Sequence, residues 1–142
     1  EYWHQVLTIL RSANDIEVMK SDTWNTSLLC EPIQNNELCI TEINSAYALY
    51  TEGRDVQHCI YTYLYRCRHT KSFGENGPEY IAFSVRSLHS DDKSTIGLVW
   101  NYNNLSYIFD QHQGLENLSV PPEHKNAVSF LISNISKQIK PN

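Results

Sequence analysis

The sequence has no Cys-x-x-Cys pair. Its four cysteines, Cys30, Cys39, Cys59 and Cys67, are spaced for neither a zinc ribbon nor a thioredoxin-type redox site. Basic charge is scarce as well: 11 Lys and Arg stand against 16 Asp and Glu, for a net charge of −5. A general nucleic-acid binder needs a basic face, so that class is disfavoured. The local exception is the cluster Arg54, Arg66, Arg68, His69 and Lys71. No apolar run approaches the ~20 residues of a membrane span, so no membrane association is expected. Internal repeats, low-complexity tracts and linkers are also missing, and the 142 residues are read as one domain, 1–142. The chain opens on Glu1 rather than Met. That reads as a processed or excised piece, in which a missing signal peptide says little.

What is present suits a packed interior. Hydrophobic residues make up 41% of the chain and aromatic residues 11%, with nine Tyr and three Trp. A chain of ~140 residues does not need disulfides to fold. The even cysteine count and the Asn-x-Ser/Thr tripeptides at Asn25, Asn104, Asn117 and Asn134 would allow a secreted, disulfide-bonded glycoprotein. The cysteine spacing favours a reduced, cytoplasmic protein, with secretion as the alternative.

Periodicity gives an α+β order. Trp3, Val6, Leu7 and Leu10 share a helical face over residues 2–12, and "SANDIEV" reads as a turn. "TWNTSLL" and "ELCI" read as short strands around a turn at Pro32–Asn36. "TEINSAYALYTEG" reads as a helix capped by Asn44 or Ser45 and stopped by Gly53. A second helix is expected from Asp55 to His69, with Val56, Cys59, Ile60, Tyr63, Leu64 and Cys67 on its apolar stripe. Residues 70–78 form a loop. Three alternating segments, "EYIAFSVRS", "STIGLVW" and "LSYIFDQ", are expected as a three-stranded antiparallel meander, followed by a C-terminal helix over 123–139. The helices are expected on one face of that sheet.

Four segments also resemble a known family. Glu52-Gly53, His58-Cys59-Ile60 and Tyr63 are similar to the helix, E-G step and H-C-V-x-x-Y motif of the PcfJ-like proteins of plasmids, phages and other mobile elements. The strand with Ser84 and Arg86 is similar to that family's I-x-S-[LI]-R strand, the one with Thr95 to its T-[IL]-E-[VL] strand, and the segment with Gln111, Gly114 and Asn117 to its Q-x-[KR]-G-x-x-N segment. The resemblance covers about residues 40–131. It departs at Gly97, where the family often has Glu, and at Gln113, where it often has a basic residue. It implies a fold and a site but no particular reaction.

The residues nominated for chemistry follow. His58 and Cys59 are the catalytic candidates; Tyr63, Ser84, Arg86, Thr95, Gln111 and Asn117 are the candidates for binding substrate. Neighbours on a helix point ~100° apart, so His58 and Cys59 are not expected to form a dyad with each other. His112 or His4 would be the proton acceptor for Cys59, and a helix N-terminus would favour its thiolate. Cys59 read as a core residue, with His58 bonded to a neighbouring element, is the plain alternative. His58, Cys59, Cys67 and His69 have the ligand types for zinc, but one helix cannot wrap four ligands around an ion, so no metal is expected. Ser84, Arg86 and Thr95 would line a polar pocket, Arg86 taking a phosphate or carboxylate, or else form a solvated sheet face. "YTYLYR" could stack on bases, but such a run is more often core on one side and surface on the other. Three functions stay open: an enzyme-like domain of a mobile-element or host-interaction protein suited to transfer or hydrolysis, a module that recognises protein or nucleic acid, and a secreted, disulfide-bonded glycoprotein domain. Nothing in the sequence identifies a cofactor or a partner.

Overall fold

In the computed structural model, the described residues are 13–68 and 77–135. The expected helix over 2–12 lies outside them, as do His4, His69, Lys71, most of the 70–78 loop and the end of the last helix. The class is α+β. A five-stranded antiparallel sheet runs in the order β1 (Ile33–Gln34), β2 (Leu38–Glu42), β3 (Tyr80–Ser87), β4 (Lys93–Asn101), β5 (Ser106–Gln113). The helices are α1 (Ala13–Ser21), α2 (Ala46–Val56), α3 (Leu64–Arg68) and α4 (Ala127–Ile135).

The sheet is wider than the expected three strands because the Asn35 turn folds a short hairpin onto β3. Asn35 Oδ1 accepts from the amides of Glu37 and Leu38, both at 2.8 Å, which turns the chain tightly enough to pair β1 with β2. β2 then pairs with β3 from Leu38↔Ser87 to Glu42↔Phe83. "TWNTSLL" is not a strand; only Thr23 makes an isolated bridge, to Ser45. The reason is Glu42. Its carboxylate accepts from the amides of Ser27, Leu28 and Leu29, so these groups bond to a side chain instead of a ladder.

Helices cover both faces of the sheet, not one. Alternation along β3 sends Ile81, Phe83 and Val85 to the face that packs against Ala127, Leu131 and Ile135 of α4. Tyr80 and Ala82 point the other way, into Leu49 of α2, Ile60 and Cys67. Both faces of β3 and β4 are therefore largely buried, and apolar residues fill both sides of the alternation. Each fully buried Leu or Phe contributes roughly 1.5–3 kcal/mol, so the central strands anchor everything attached to them.

Three further expectations change. "SANDIEV" is not a turn: α1 spans it, with Asp15 in its first turn, Lys20 in its last and Met19 buried. Gly53 does not stop α2. Ser45 caps its start, its side chain accepting from Ala48 N, and the helix runs on to Val56 because that side chain is fully buried. The stop is Gln57, at φ 57°, ψ 50°, whose amide and that of His58 both close on Gly53 O. The expected helix from Asp55 to His69 is broken in consequence. Residues 58–59 turn, Ile60–Tyr63 form a 3-10 turn, and α3 begins only at Leu64. The four cysteines are free thiols. Among the described residues no helix is long and apolar enough to cross a membrane.

Candidate functional site

The break after α2 places His58 and Cys59 on opposite sides of the chain. His58 is 3% exposed and faces the sheet, whereas Cys59 is exposed. Cys59 therefore does not belong to an apolar stripe, and no α-helix N-terminus lies at its thiol; it precedes the 3-10 turn with no side-chain capping bond. Cys67 is the buried thiol, and desolvation pushes it up to about 12, which makes it inert.

His58 ends a relay of buried polar groups. Its Nε2 lies 2.7 Å from Thr95 Oγ1. The Thr95 hydroxyl donates to Glu52 Oε2 in a short contact. Glu52 in turn takes the guanidinium of Arg86 as a fork, Nη2–Oε1 2.7 Å and Nη1–Oε2 3.3 Å. Three elements supply these groups. Glu52 comes from the inner face of α2, one turn before Val56; Arg86 comes from β3; Thr95 comes from β4, directly across from Ser84.

The relay fixes the protons. Threonine has one hydroxyl proton, and it is directed at Glu52. Thr95 Oγ1 must then accept from His58, so His58 carries its proton on Nε2. Its remaining lone pair is on Nδ1, which meets the Ile60 amide at 3.4 Å, long for a hydrogen bond. Burial, with the Arg86 charge as a lesser cause, holds His58 down to about 4, so the ring is neutral at pH 7. Burial raises Glu52, while its pairing with Arg86 and the Thr95 bond oppose that shift.

A cleft opens on this ring. His58, Cys59, Ile60, Tyr63, Thr95, Gln111, Gln113 and Asn117 line it. The space open to the centre of a water molecule is only about 10 Å³. That is room for about one water, so anything larger must lie across the rim. The rim is held by a loop closed on itself: Gly114 N donates to Leu118 O, and Asn117 N donates to Gly114 O. A Cβ on Gly114 would come within 2.5 Å of Ser119 O, so only glycine allows this closure.

The nominated residues thus separate into two groups. His58, Cys59, Tyr63, Thr95, Gln111 and Asn117 meet at one cleft. Ser84 and Arg86 do not line it. Ser84 is half-buried between Thr41 and Thr95 in the sheet register. The fork of Arg86 is engaged by Glu52, and it also donates to Val85 O at 3.0 Å, so it is not free for a substrate anion. His112 cannot serve Cys59, because it projects with Ile96 from the other face of the sheet. Tyr63 stacks on Tyr80 at 4.3 Å between ring centres, and Arg66 lies over both rings. Of the three tyrosines in "YTYLYR" only Tyr65 is largely exposed, so the run is no base-stacking platform. Among the described residues no three His, Cys, Asp or Glu side chains converge as a metal site.

The two departures from the family pattern have structural counterparts. A Cβ on Gly97 would lie 1.9 Å from the Tyr80 hydroxyl. Tyr80 therefore fills the space above Gly97, where its hydroxyl donates to Asp110 and accepts from Gln111, both at 2.7 Å. Gln113 is a cleft residue. No family model, no curated protein and no solved structure matches the chain.

Proposed function

We propose that the cleft is the active site of a hydrolase- or transferase-type domain in which His58 handles the proton. The observation that carries this reading is the relay Arg86–Glu52–Thr95–His58, which runs from an ion pair with a buried carboxylate to the wall of a cleft the size of one water. Burying the Glu52 carboxylate costs several kcal/mol in desolvation, and an apolar replacement of such a pair is often as stable. Stability alone therefore does not account for it, and perturbed groups in a cleft mark functional sites.

In this mechanism a water, or the hydroxyl or thiol of an acceptor, sits at the enclosed end. His58 Nδ1 takes its proton as the oxygen or sulfur attacks an electrophilic carbon of the substrate. The imidazolium that forms is stabilised through Nε2–H to Thr95 and the Glu52 carboxylate behind it, and it returns the proton to the leaving group. The side-chain amides of Gln111, Gln113 and Asn117 donate to the substrate's polar atoms. Cys59, exposed and with no base in contact among the described residues, is a rim contact rather than the nucleophile. The resemblance to the PcfJ-like family, with its mobile-element setting, belongs to this proposal, since its H-C motif falls on the cleft, and so does the reduced, cytoplasmic compartment expected from the cysteine spacing.

The second reading is a recognition module. The shallow cleft and the engagement of both His58 nitrogens favour it. Hydrolysis of activated acetyl esters separates the two. Wild type should turn over such an ester with saturation kinetics. His58→Gln should lose at least about tenfold, in line with the 10²–10⁴ that acid–base catalysis supplies, and Cys59→Ser should be unchanged. Equal rates in all three would leave only the recognition module.

A further inference from the structure

We infer that a second groove, beside the cleft, docks a cationic segment of a partner protein in which Lys or Arg flanks a large apolar residue. The groove has about 500 Å³, within the range of ligand-binding cavities. One wall is apolar: Leu115, Leu118 and Pro121. Leu115 is 49% and Leu118 65% exposed, so both leucines are in water until something covers them. The lining also carries Asp55, Asp91 and Asp92 with one cation, Lys93, while Asp55 pairs with Arg54, Nε–Oδ1 3.1 Å.

Charge decides the occupant. Asp55 sits in the last turn of α2, where the helix carbonyls add negative potential. Glu123 places a further carboxyl group beside Asp92, in a contact that raises Asp92 and lowers Glu123. Nucleic-acid phosphate and an anionic lipid surface would be repelled, whereas a Lys or Arg side chain is attracted, and the leucines require an apolar neighbour for that cation.

The groove is also preformed. Its Pro121 wall leads into the 3-10 turn Pro122–His124, which is pinned to the sheet by the fully buried His124. Ser87 Oγ donates to Glu123 Oε2 at 3.2 Å, so it accepts from His124 Nε2 at 2.8 Å. His124 Nδ1 then accepts from Ser94 Oγ at 2.6 Å, and Ser94 accepts from His112 Nε2 at 2.8 Å. Every group in this chain has a partner, so the wall does not have to be ordered when the segment binds.

The test is an amide-resolved NMR titration of the whole chain with the peptide Lys-Leu-Lys-Leu-Lys, and with a control in which Glu replaces each Lys. Saturable shifts should concentrate at Leu115, Leu118 and Ser119 with the Lys peptide and be absent with the Glu peptide. Leu118→Ser should weaken binding about tenfold, since burying a leucine contributes that much or more. Asp91→Asn with Asp92→Asn should weaken it a few-fold and flatten its salt dependence. All three positions are exposed, so the variants should keep the wild-type melting temperature. No saturable shifts at these amides, equal binding of the Glu peptide, or a Leu118→Ser variant that binds as tightly as wild type would each overturn the inference.

Discussion

Glu52 joins Arg86 to Thr95 in the relay, and sequence reading placed it in the E-G step without nominating it for the site. It occupies a buried position of α2, three residues after Leu49 and four before Val56. A carboxylate at that place in an apolar stripe was a legible signal, and it was obscured by reading Gly53 as the helix stop. The Glu52–Arg86 pair leads to a clear expectation. Glu52→Gln leaves the half-buried Arg86 charge without its counter-ion and should cost about 1–3 kcal/mol, read from urea denaturation. The paired change Glu52→Met with Arg86→Met should cost much less. A second residue-scale prediction concerns Gly97. Gly97→Ala puts a methyl group into the Tyr80 hydroxyl, and overpacking of this kind costs roughly 1–3 kcal/mol. Loss of the Tyr80–Gln111 contact should show as a shift of the Gln111 side-chain amide in the same variant.

At the scale of elements, the turn after α2 separates what was legible from what was not. The start of α2 at Ser45 was legible because its cap is a local side-chain bond. So were β3, β4 and β5, whose alternation reads directly as pairing from Tyr80↔Val99 onwards. The stop at Gln57 was not legible, since a glutamine at φ 57° has no turn chemistry of its own and is held there by the burial of Val56 and His58 on either side. Gln57 is exposed, and glycine is relaxed at positive φ, so Gln57→Gly should stabilise the protein by about 0.5–1 kcal/mol. A lower melting temperature would mean that the turn does not have this geometry. The relay from Glu52 to His58 was illegible for a related reason: its groups come from α2, β3, β4 and the turn, and only the assembled sheet brings them together.

At the scale of the whole molecule, burial of neutral histidines ties stability to pH. His58 and His112 are both held down to about 4, and His124 is also lowered, each chiefly by desolvation. The unfolded chain takes up protons near 6.5, where the folded chain does not. Stability is therefore fully present above about 6.5 and falls as pH drops towards 4, by about 3 kcal/mol for His58 alone. Urea midpoints at pH 7 and pH 5 should differ in that direction, and His58→Gln should narrow the difference. The central claim is that neutral His58 is the base in the cleft. Its most direct test is the pH dependence of kcat/KM for an activated ester between pH 3.5 and 8. The rate should rise through a single pKa near 4, stay flat to neutrality, and lose that step in His58→Gln. A rise centred near 6.5, or a profile that His58→Gln leaves unchanged, would contradict it.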